Sequence, residues 1–243
     1  MEAKVFERMA ELDSSHWWFV ARRAILKSVI ERIVRPPKNA QILELGCGTG
    51  HNLAMLSEFG AVQASELDDS ARAIATKRLG RPIEAAALPD LSMYPADHFD
   101  LVALLDVLEH VADDKAALAA IRTRLKPGGK LLVTVPGNKW MWSAHDVAHH
   151  HHRRYRKQEL RLVAEQQGFA VDLLSPFNTL LFPLVAAARA AGKLTGRESA
   201  DDALPPAPVN AVLRSLFALE APLVGRLPLP FGVSLLAVLR RPD

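Results

Sequence analysis

The chain has 243 residues and a formal net charge of +3, and 49% of its residues are apolar. This length and composition can bury a large core and predict one α/β domain over residues 1–243 rather than two independent ones. The single cysteine, Cys47, excludes an internal disulfide framework and a multi-cysteine metal site. The one basic run, residues 153–157, has no nucleic-acid-binding motif beside it, so no nucleic-acid partner is expected.

A helix is predicted from about Ser15 to Val34, because apolar residues recur there every three to four positions. The start of this helix, residues 16–19, is unusually aromatic. Core packing explains such a segment. In a second interpretation, residues 1–37 form a lid that excludes water from a ligand site, and Trp18 contacts the substrate.

The run Ala40–Gly50 reads as an apolar strand that ends in three alternating glycines, Gly46, Gly48 and Gly50. Glycines at a strand end let a ligand approach the backbone closely, because a Cβ would fill that space. A dinucleotide-binding turn would need another glycine where His51 stands, and no Gly-Lys-Ser/Thr run indicates a triphosphate loop. The pattern therefore favours a ligand without a pyrophosphate.

This strand and turn resemble the first motif of class I S-adenosylmethionine (SAM) dependent methyltransferases, including the type 11 and type 12 members. Further motifs of that family follow in order: Glu66 after a second strand, the strand and acidic run of residues 99–111, and Leu-Lys-Pro-Gly-Gly at residues 125–129. The resemblance implies an α/β fold with a Rossmann-like, mostly parallel sheet of seven strands, an antiparallel last strand and helices on both faces. It also implies SAM as the cofactor and S-adenosylhomocysteine as its product.

The seven strands are predicted near residues 40–45, 61–66, 82–86, 99–105, 131–135, 169–174 and 233–239. On this division residues 38–174 form the SAM-binding core and residues 232–243 the last strand. Residues 175–231 form a helical cap inserted between them, which is too long for a structureless loop. The cap either completes the core or provides an apolar acceptor site or a membrane-surface contact.

The residues expected to bind the cofactor follow the strand ends. Glu66 lies 20 positions after Gly46, a spacing at which Rossmann-like folds place an acid on a ribose. Glu44 is expected to orient the backbone or meet the amino end of the cofactor. Alanines stand where many family members have an acid near the adenine, so the backbone of Ala87 or Leu88 is expected there. The full predicted set is Glu44, Gly46, Cys47, Gly48, Gly50, Asn52, Glu66, Leu67, Ala87, Leu88, Asp106, Val107 and His110.

Glu109 and His110 have two interpretations. The run around them resembles ubiquinone-biosynthesis O-methyltransferases, in which a similar acid-x-x-Glu-His run has been associated with a divalent metal. A carboxylate and an imidazole suit such an ion. A hydrogen-bonded pair that lines the cleft explains the run without a metal, so metal dependence stays open.

The residues that bind the molecule receiving the methyl group, the acceptor, are expected after the fifth strand. Related enzymes that methylate hydroxyl or amine groups often have a His followed closely by Arg and an aromatic residue before the next helix. The resemblance therefore implies His145 or His149 as general base. Trp142, Arg154 and Tyr155 are expected to contact the acceptor. The run of four histidines at residues 149–152 is not a metal site by itself, because consecutive side chains cannot all face one ion.

The predicted function is methyl transfer from SAM to a hydroxyl or amine of a small or lipid-like acceptor. A non-catalytic SAM-binding partner protein is an alternative. An NAD-dependent oxidoreductase is less favoured, because Tyr94 and Tyr155 lack a Lys four residues on. No signal sequence is seen, so a cytoplasmic protein is expected, monomeric or homodimeric. Residues 176–230 are the candidate for a peripheral membrane contact.

Overall fold

The computed structural model describes residues 3–195 and 204–243. Its strands are β1 (Ala40–Leu45), β2 (Gly60–Ser65), β3 (Phe99–Leu105), β4 (Leu125–Pro136), β5 (Ala170–Phe177) and β6 (Ser234–Arg240). They form one sheet in the order β2-β1-β3-β4-β6-β5. β1 to β4 run parallel, whereas β6 is antiparallel to both of its neighbours. The Rossmann-like sheet with an antiparallel last strand is therefore confirmed.

The described residues also form nine α-helices. They are α1 (Ala3–Leu12), α2 (Trp17–Val29), α3 (Leu53–Ser57), α4 (Asp69–Leu79), α5 (Asp114–Arg124), α6 (Ala144–Ala148), α7 (Lys157–Gln166), α8 (Phe182–Thr195) and α9 (Ala207–Ala218). A π-helix at Ile30–Val34 continues α2, which confirms the helix predicted up to that point. Within residues 3–195 and 204–243, no helix has both the length and the apolar character that crossing a membrane requires.

Each face of the sheet is covered by a hydrophobic core. Side chains alternate along the strands, so Ile42 of β1 packs in one core together with Ile25 of α2. Val102 of β3 packs in the other core with Leu118 of α5 and Leu160 of α7. Burial on both faces explains why the parallel strands are nearly continuous apolar runs.

The strand predicted at residues 82–86 does not form, so the described sheet has six strands instead of seven. One parallel bridge, between Glu84 and Ser65 of β2, is all the pairing that this segment makes. Pro82 has no N–H to donate to a ladder, and the alanines at residues 85–87 have low β propensity. The segment therefore runs beside β2 as an irregular edge.

Helices α8 and α9 fill the insertion before the last strand, as predicted, although residues 196–203 of that insertion lie outside the described part. α9 packs against α2. The backbone N–H of Trp17 donates to Oδ1 of Asn210 at 2.8 Å, and the rings of Trp17 and Phe217 meet edge to face at 5.9 Å. The insertion is thus attached to the N-terminal helix.

Candidate active site

The carboxyl ends of four parallel strands open into a cavity of about 1300 Å³. Its lining includes Gly46 after β1, Glu66 after β2, Asp106 after β3 and Pro136 at the end of β4. Ligands of open parallel sheets bind at this edge. Residues of α1, α2 and α8 also line the cavity. Its volume exceeds the roughly 300–1,000 Å³ of a typical small-ligand site, so two ligands can bind side by side.

The turn after β1 has the backbone that close approach of a ligand requires. Gly46 has a φ of +66°, and a Cβ there would lie 2.7 Å from Cγ2 of Val107. Only glycine fits at this position. Gly50 has a φ of +81°, but a Cβ there would meet Cδ1 of Leu53 at 2.7 Å, and Gly50 does not line the cavity. Gly50 therefore serves helix packing rather than the ligand contact predicted for it.

Glu66 links the second strand to this turn. Its Oε2 accepts a hydrogen bond from the N–H of Gly48 at 2.7 Å, and its Oε1 accepts one from the N–H of Asp68 at 2.9 Å. Each carboxylate oxygen has two lone pairs, so both oxygens keep capacity for ligand hydroxyl groups. The carboxylate is thus oriented before any ligand binds.

Glu44 lies behind the turn and does not line the cavity. Its Oε1 accepts from Nδ2 of Asn52 at 2.9 Å, and Asn52 does line the cavity. Burial raises the pKa of Glu44 to about 7, partly offset by the hydrogen bond from Asn52 and the charge of Arg22. Glu44 therefore influences the cavity through the orientation of Asn52.

Arg22, which the sequence patterns did not single out, joins α2 to the end of β3. It is 1% exposed, and its Nη2 donates to Oδ2 of Asp106 at 2.6 Å and to Oγ1 of Thr134 at 2.7 Å. Its Cζ lies 4.9 Å from the ring centroid of Trp18, a cation–π distance. Asp106 has a φ of +57°, which is uncommon for a residue with a side chain. The sequence does contain a sign of this role, because Arg22 is an arginine on the buried and otherwise apolar face of α2.

Several histidines line another part of the cavity. The ring centroids of His145 and His149 are 4.2 Å apart, and that of His151 lies 6.1 Å and 6.0 Å from them. Burial, followed by the nearby charge of His151, lowers the pKa of His110 to about 4. The two histidines predicted as general bases are therefore brought together inside the cavity.

Arg154 also lines the cavity, but its guanidinium is bonded within the protein. Its Nε donates to Oδ1 of Asp146 at 2.7 Å, and its Nη1 donates to the carbonyl oxygen of Gly137 at 3.1 Å. Burial alone would raise the pKa of Asp146, but hydrogen bonds from His151 and Arg154 outweigh it and hold that pKa well below its usual range. Arg154 therefore fixes the histidine segment and has little freedom to bind an acceptor.

Glu109, His110 and His151 form a group whose ligand atoms all lie within 4.8 Å of one another. Burial, and next the charge of Asp106, raises the pKa of Glu109 well above its usual range. His151 is distant in sequence and was not predicted to join this pair.

A family model described as a methyltransferase domain matches residues 19–174, more than half of the chain. The chain belongs to the methyltransferase domain family. This membership confirms the predicted class I SAM-dependent family and SAM as its cofactor.

The chain is 34% identical over 119 residues to a ubiquinone biosynthesis O-methyltransferase of Idiomarina loihiensis, covering 46% of this chain and 49% of the relative. It is 34% identical over 145 residues to a trans-aconitate 2-methyltransferase of Deinococcus radiodurans, covering 57% and 51%. The chain spans about half the length of the curated relatives it matches. A SAM-dependent methyltransferase from Mesorhizobium loti shares the fold with a TM-score of 0.59 and 21% identity, covering 94% of this chain and all of that one.

Most of the predicted site residues do line the cavity. They are Trp18, Gly46, Cys47, Gly48, Asn52, Glu66, Leu67, Ala87, Leu88, Asp106, Val107, His110, His145, His149 and Arg154. Trp142 and Tyr155 do not. Tyr155 is 3% exposed and packs in the core that also contains Val102 and Leu118. Its hydroxyl donates to Oδ2 of Asp114 at 2.8 Å. The structure therefore does not bring Tyr155 to the acceptor site predicted for it.

His51 faces the same cavity. Both of its ring nitrogens are buried without a hydrogen-bond partner in the described part of the chain, and its ring meets that of Phe19 at 5.1 Å. Burial, followed by the charges of Arg22, Arg23 and Arg78, lowers its pKa well below the usual range. A neutral imidazole with two unused nitrogens is thus available to a bound ligand.

Proposed function

We propose that this protein transfers the methyl group of SAM to a hydroxyl or amine of a small or lipid-like acceptor. The observation that carries the proposal is a set of buried polar atoms beside the glycine turn. Oδ1 of Asn52, Nε of Arg22 and both ring nitrogens of His51 have no partner in residues 3–195 and 204–243. Buried polar groups are normally hydrogen-bonded, so these atoms indicate where polar groups of a ligand belong.

The residues present fit SAM. When bound, SAM supplies a methyl group on a positively charged sulfur. Oδ1 of Asn52 can accept from its ammonium group, and Arg22 and His51 can donate to its carboxylate. Glu66 can accept from the ribose hydroxyls, as the strand-end position of this acid suggests. Gly46 leaves space for the ligand beside the backbone.

The acceptor needs alignment and, for a hydroxyl, removal of a proton. The acceptor oxygen forms a bond to the methyl carbon while the carbon–sulfur bond breaks, and the electron pair of that bond goes to sulfur. His145 or His149 takes the hydroxyl proton. Alignment can provide an effective molarity of ~10⁵ M or more, and a general base adds about 10²-fold.

The exposed apolar side chains of the insertion and its neighbours favour a membrane surface as the source of the acceptor. On α8, Leu184 is 60% exposed, while the next residue, Val185, lines the cavity. The ring of Phe182 lies 6.0 Å from that of Trp140 and 5.1 Å from that of Phe231. Trp140 is 57% exposed and Phe231 45%. Exposed aromatic rings with aliphatic neighbours suit the lipid headgroup boundary.

Vesicle co-sedimentation of the full chain tests this membrane contact. We expect the wild type to sediment with phosphatidylglycerol-containing vesicles and the double variant Trp140→Ser, Leu184→Ser to stay in solution. Leu162→Ser removes an equally exposed leucine from α7 and is the matched control. Equal behaviour of the double variant and the control would exclude the membrane contact and leave methyl transfer untouched.

Methyl transfer itself is tested with isotope-labelled SAM and extracts of small molecules and of lipids. We expect a labelled product in one extract, whose chemistry then identifies the acceptor. SAM binding without any labelled product in either extract would instead favour a non-catalytic SAM-binding partner protein.

A further inference from the structure

Asn178 follows the last residue of β5 and lines the cavity. The residue is 2% exposed, and Oδ1 of its carboxamide is buried without a hydrogen-bond partner in residues 3–195 and 204–243. A buried polar atom without a partner is costly. In a cavity wall, such an oxygen therefore indicates where a polar group of a ligand belongs.

The backbone conformation of Asn178 does not account for its side chain. Asparagine is tolerated at positive φ, and Asn39, Asn138 and Asn178 have φ values of +61°, +60° and +58°. Nδ2 of Asn138 donates to the carbonyl oxygen of Gly232 at 2.7 Å, and Asn39 is exposed to water. The buried Oδ1 of Asn178 has neither kind of partner, so its environment differs from that of the other two.

The insertion before the last strand holds the turn that carries Asn178. The N–H of Leu180 donates to Oε1 of the buried Glu220, which follows α9, at 2.8 Å. The hydroxyl of Thr179 donates to the carbonyl oxygen of Phe231 at 2.6 Å. The backbone of the turn is therefore fixed before a ligand binds, which lowers the entropic cost of binding.

The position of Asn178 in the sheet separates it from the cofactor side. The glycine turn follows β1, and β5 stands four places from β1 in the strand order. Neighbouring strands are about 4.8 Å apart, so the two strand ends are separated by about 19 Å. Glu66 follows β2, which lies on the far side of β1 from β5. A SAM molecule at the ends of β1 and β2 therefore leaves Asn178 to the second ligand, the acceptor.

We propose that Asn178 binds an uncharged hydrogen-bond donor, a hydroxyl or an amide N–H, on the methyl acceptor. Its Oδ1 can only accept a hydrogen bond, and a neutral carboxamide offers no counter-charge to a buried ammonium group. For a hydroxyl acceptor, the methylated oxygen gives its single proton to His145 or His149. The donor bound by Asn178 is therefore a second polar group, and acceptors that lack it are selected against. This inference rests on the proposed methyl transfer.

The dependence of methyl transfer on acceptor concentration tests this inference. Wild type and variants are assayed at saturating isotope-labelled SAM with serial dilutions of the extract that yields a labelled product. Asn178→Gly suits the positive φ and should raise the half-saturating extract concentration about 10-fold or more. The maximal rate and the affinity for SAM should not change, because the lost contact is the same in the ground state and the transition state. Asn39→Gly makes the same change at a similar φ outside the cavity and should behave like the wild type.

Asn178→Asp identifies the kind of group that is bound. Aspartate keeps an oxygen that accepts from the ligand, so this variant should need less extract for half-saturation than Asn178→Gly does. Equal losses in the two variants would overturn the inference, since the bound group would then be an acceptor of hydrogen bonds.

Thermal unfolding checks that each variant folds, and Asn178→Ala takes the place of Asn178→Gly if the glycine variant does not. Equal half-saturation in that variant and the wild type overturns the inference alone, as does a changed affinity for SAM. Absence of a labelled product with the wild type contradicts methyl transfer itself, and the inference then falls with it.

Discussion

Arg22 and Asp106 are 84 positions apart in sequence, yet Nη2 of Arg22 donates to Oδ2 of Asp106 at 2.6 Å. The pair connects the N-terminal helix to the strand end at which ligands of such sheets bind. The Arg22 side chain is buried, while the Asp106 side chain is 27% exposed. The N-terminal helix therefore forms part of the cavity wall, and its role as a lid stays a prediction.

Arg22→Met should destabilise the fold and weaken SAM binding together. The change keeps the apolar stem but leaves Asp106 and Thr134 without their charged donor. Hydrogen bonds to charged groups contribute about 1.5–3 kcal/mol each, so we expect a loss of about 2–3 kcal/mol in the free energy of unfolding. Urea unfolding measures it. Arg8→Ala, which removes an exposed pair with Glu11, should cost about 0.5 kcal/mol or less; equal losses would contradict the role of Arg22.

Glu66→Gln should weaken SAM binding about 10–100-fold, because the amide is a poorer acceptor for ribose hydroxyls than the carboxylate. Its NH2 group also cannot accept from the N–H of Gly48 or Asp68, so the free energy of unfolding should fall by about 1–3 kcal/mol. Isothermal titration calorimetry measures the change. Glu165→Gln is the matched control, since its side chain is 47% exposed on α7 and does not line the cavity. A Glu66→Gln variant that binds SAM as tightly as the wild type would remove Glu66 from the cofactor site.

The raised pKa of Glu44 predicts a pH dependence of stability. The unfolded chain releases this proton as the pH rises past 4.5, whereas the folded protein keeps it to about pH 7. The contribution of Glu44 to the free energy of unfolding is therefore greatest below pH 4.5 and falls between pH 4.5 and 7, by up to about 3 kcal/mol.

Urea unfolding of the wild type and of Glu44→Gln at about pH 5 and about pH 8 checks this sign. The wild type should lose stability relative to Glu44→Gln as the pH rises, because Gln does not titrate and can still accept from Asn52. Stability differences that are the same at both pH values would show that Glu44 titrates normally in the folded protein.

Replacing whichever of His145 and His149 acts as the general base should lower turnover about 10²-fold or more for a hydroxyl acceptor. His145→Ala and His149→Ala are measured singly at saturating SAM, with His150→Ala as the control within the same segment. The affinity for SAM should not change, because the proton is taken from the acceptor. Unchanged turnover in both variants would remove this role from the segment.

The sheet and the cofactor side of the site could be predicted because they depend on local pattern. Apolar runs of strand length and the spacing from Gly46 to Glu66 are visible in sequence, and both positions line the cavity. Residues 82–86 were wrongly assigned as a strand, because the segment runs beside β2 but pairs with it only through the bridge at Glu84. Whether an edge segment pairs depends on the neighbouring strand and not on its own residues alone.

The acceptor-binding residues could be predicted less fully than the cofactor-binding residues, because their positions depend on long-range contacts. Arg154 and Tyr155 are neighbours in the basic run, but Arg154 lines the cavity. The side chain of Tyr155 instead packs in the core with Leu160, and its hydroxyl donates to Asp114. Adjacent side chains of an extended segment point to opposite sides, and sequence does not say which side faces a ligand. The partnership of Glu109 with His151 likewise follows from the fold.

Calorimetric titration of the purified chain with SAM, S-adenosylhomocysteine and NAD tests the central claim most directly. We predict one SAM per chain, competition between SAM and S-adenosylhomocysteine, and no binding of NAD, because the turn after β1 has His51 where a pyrophosphate-binding turn needs glycine. Binding of NAD, or absence of SAM binding by the folded protein, would contradict the account.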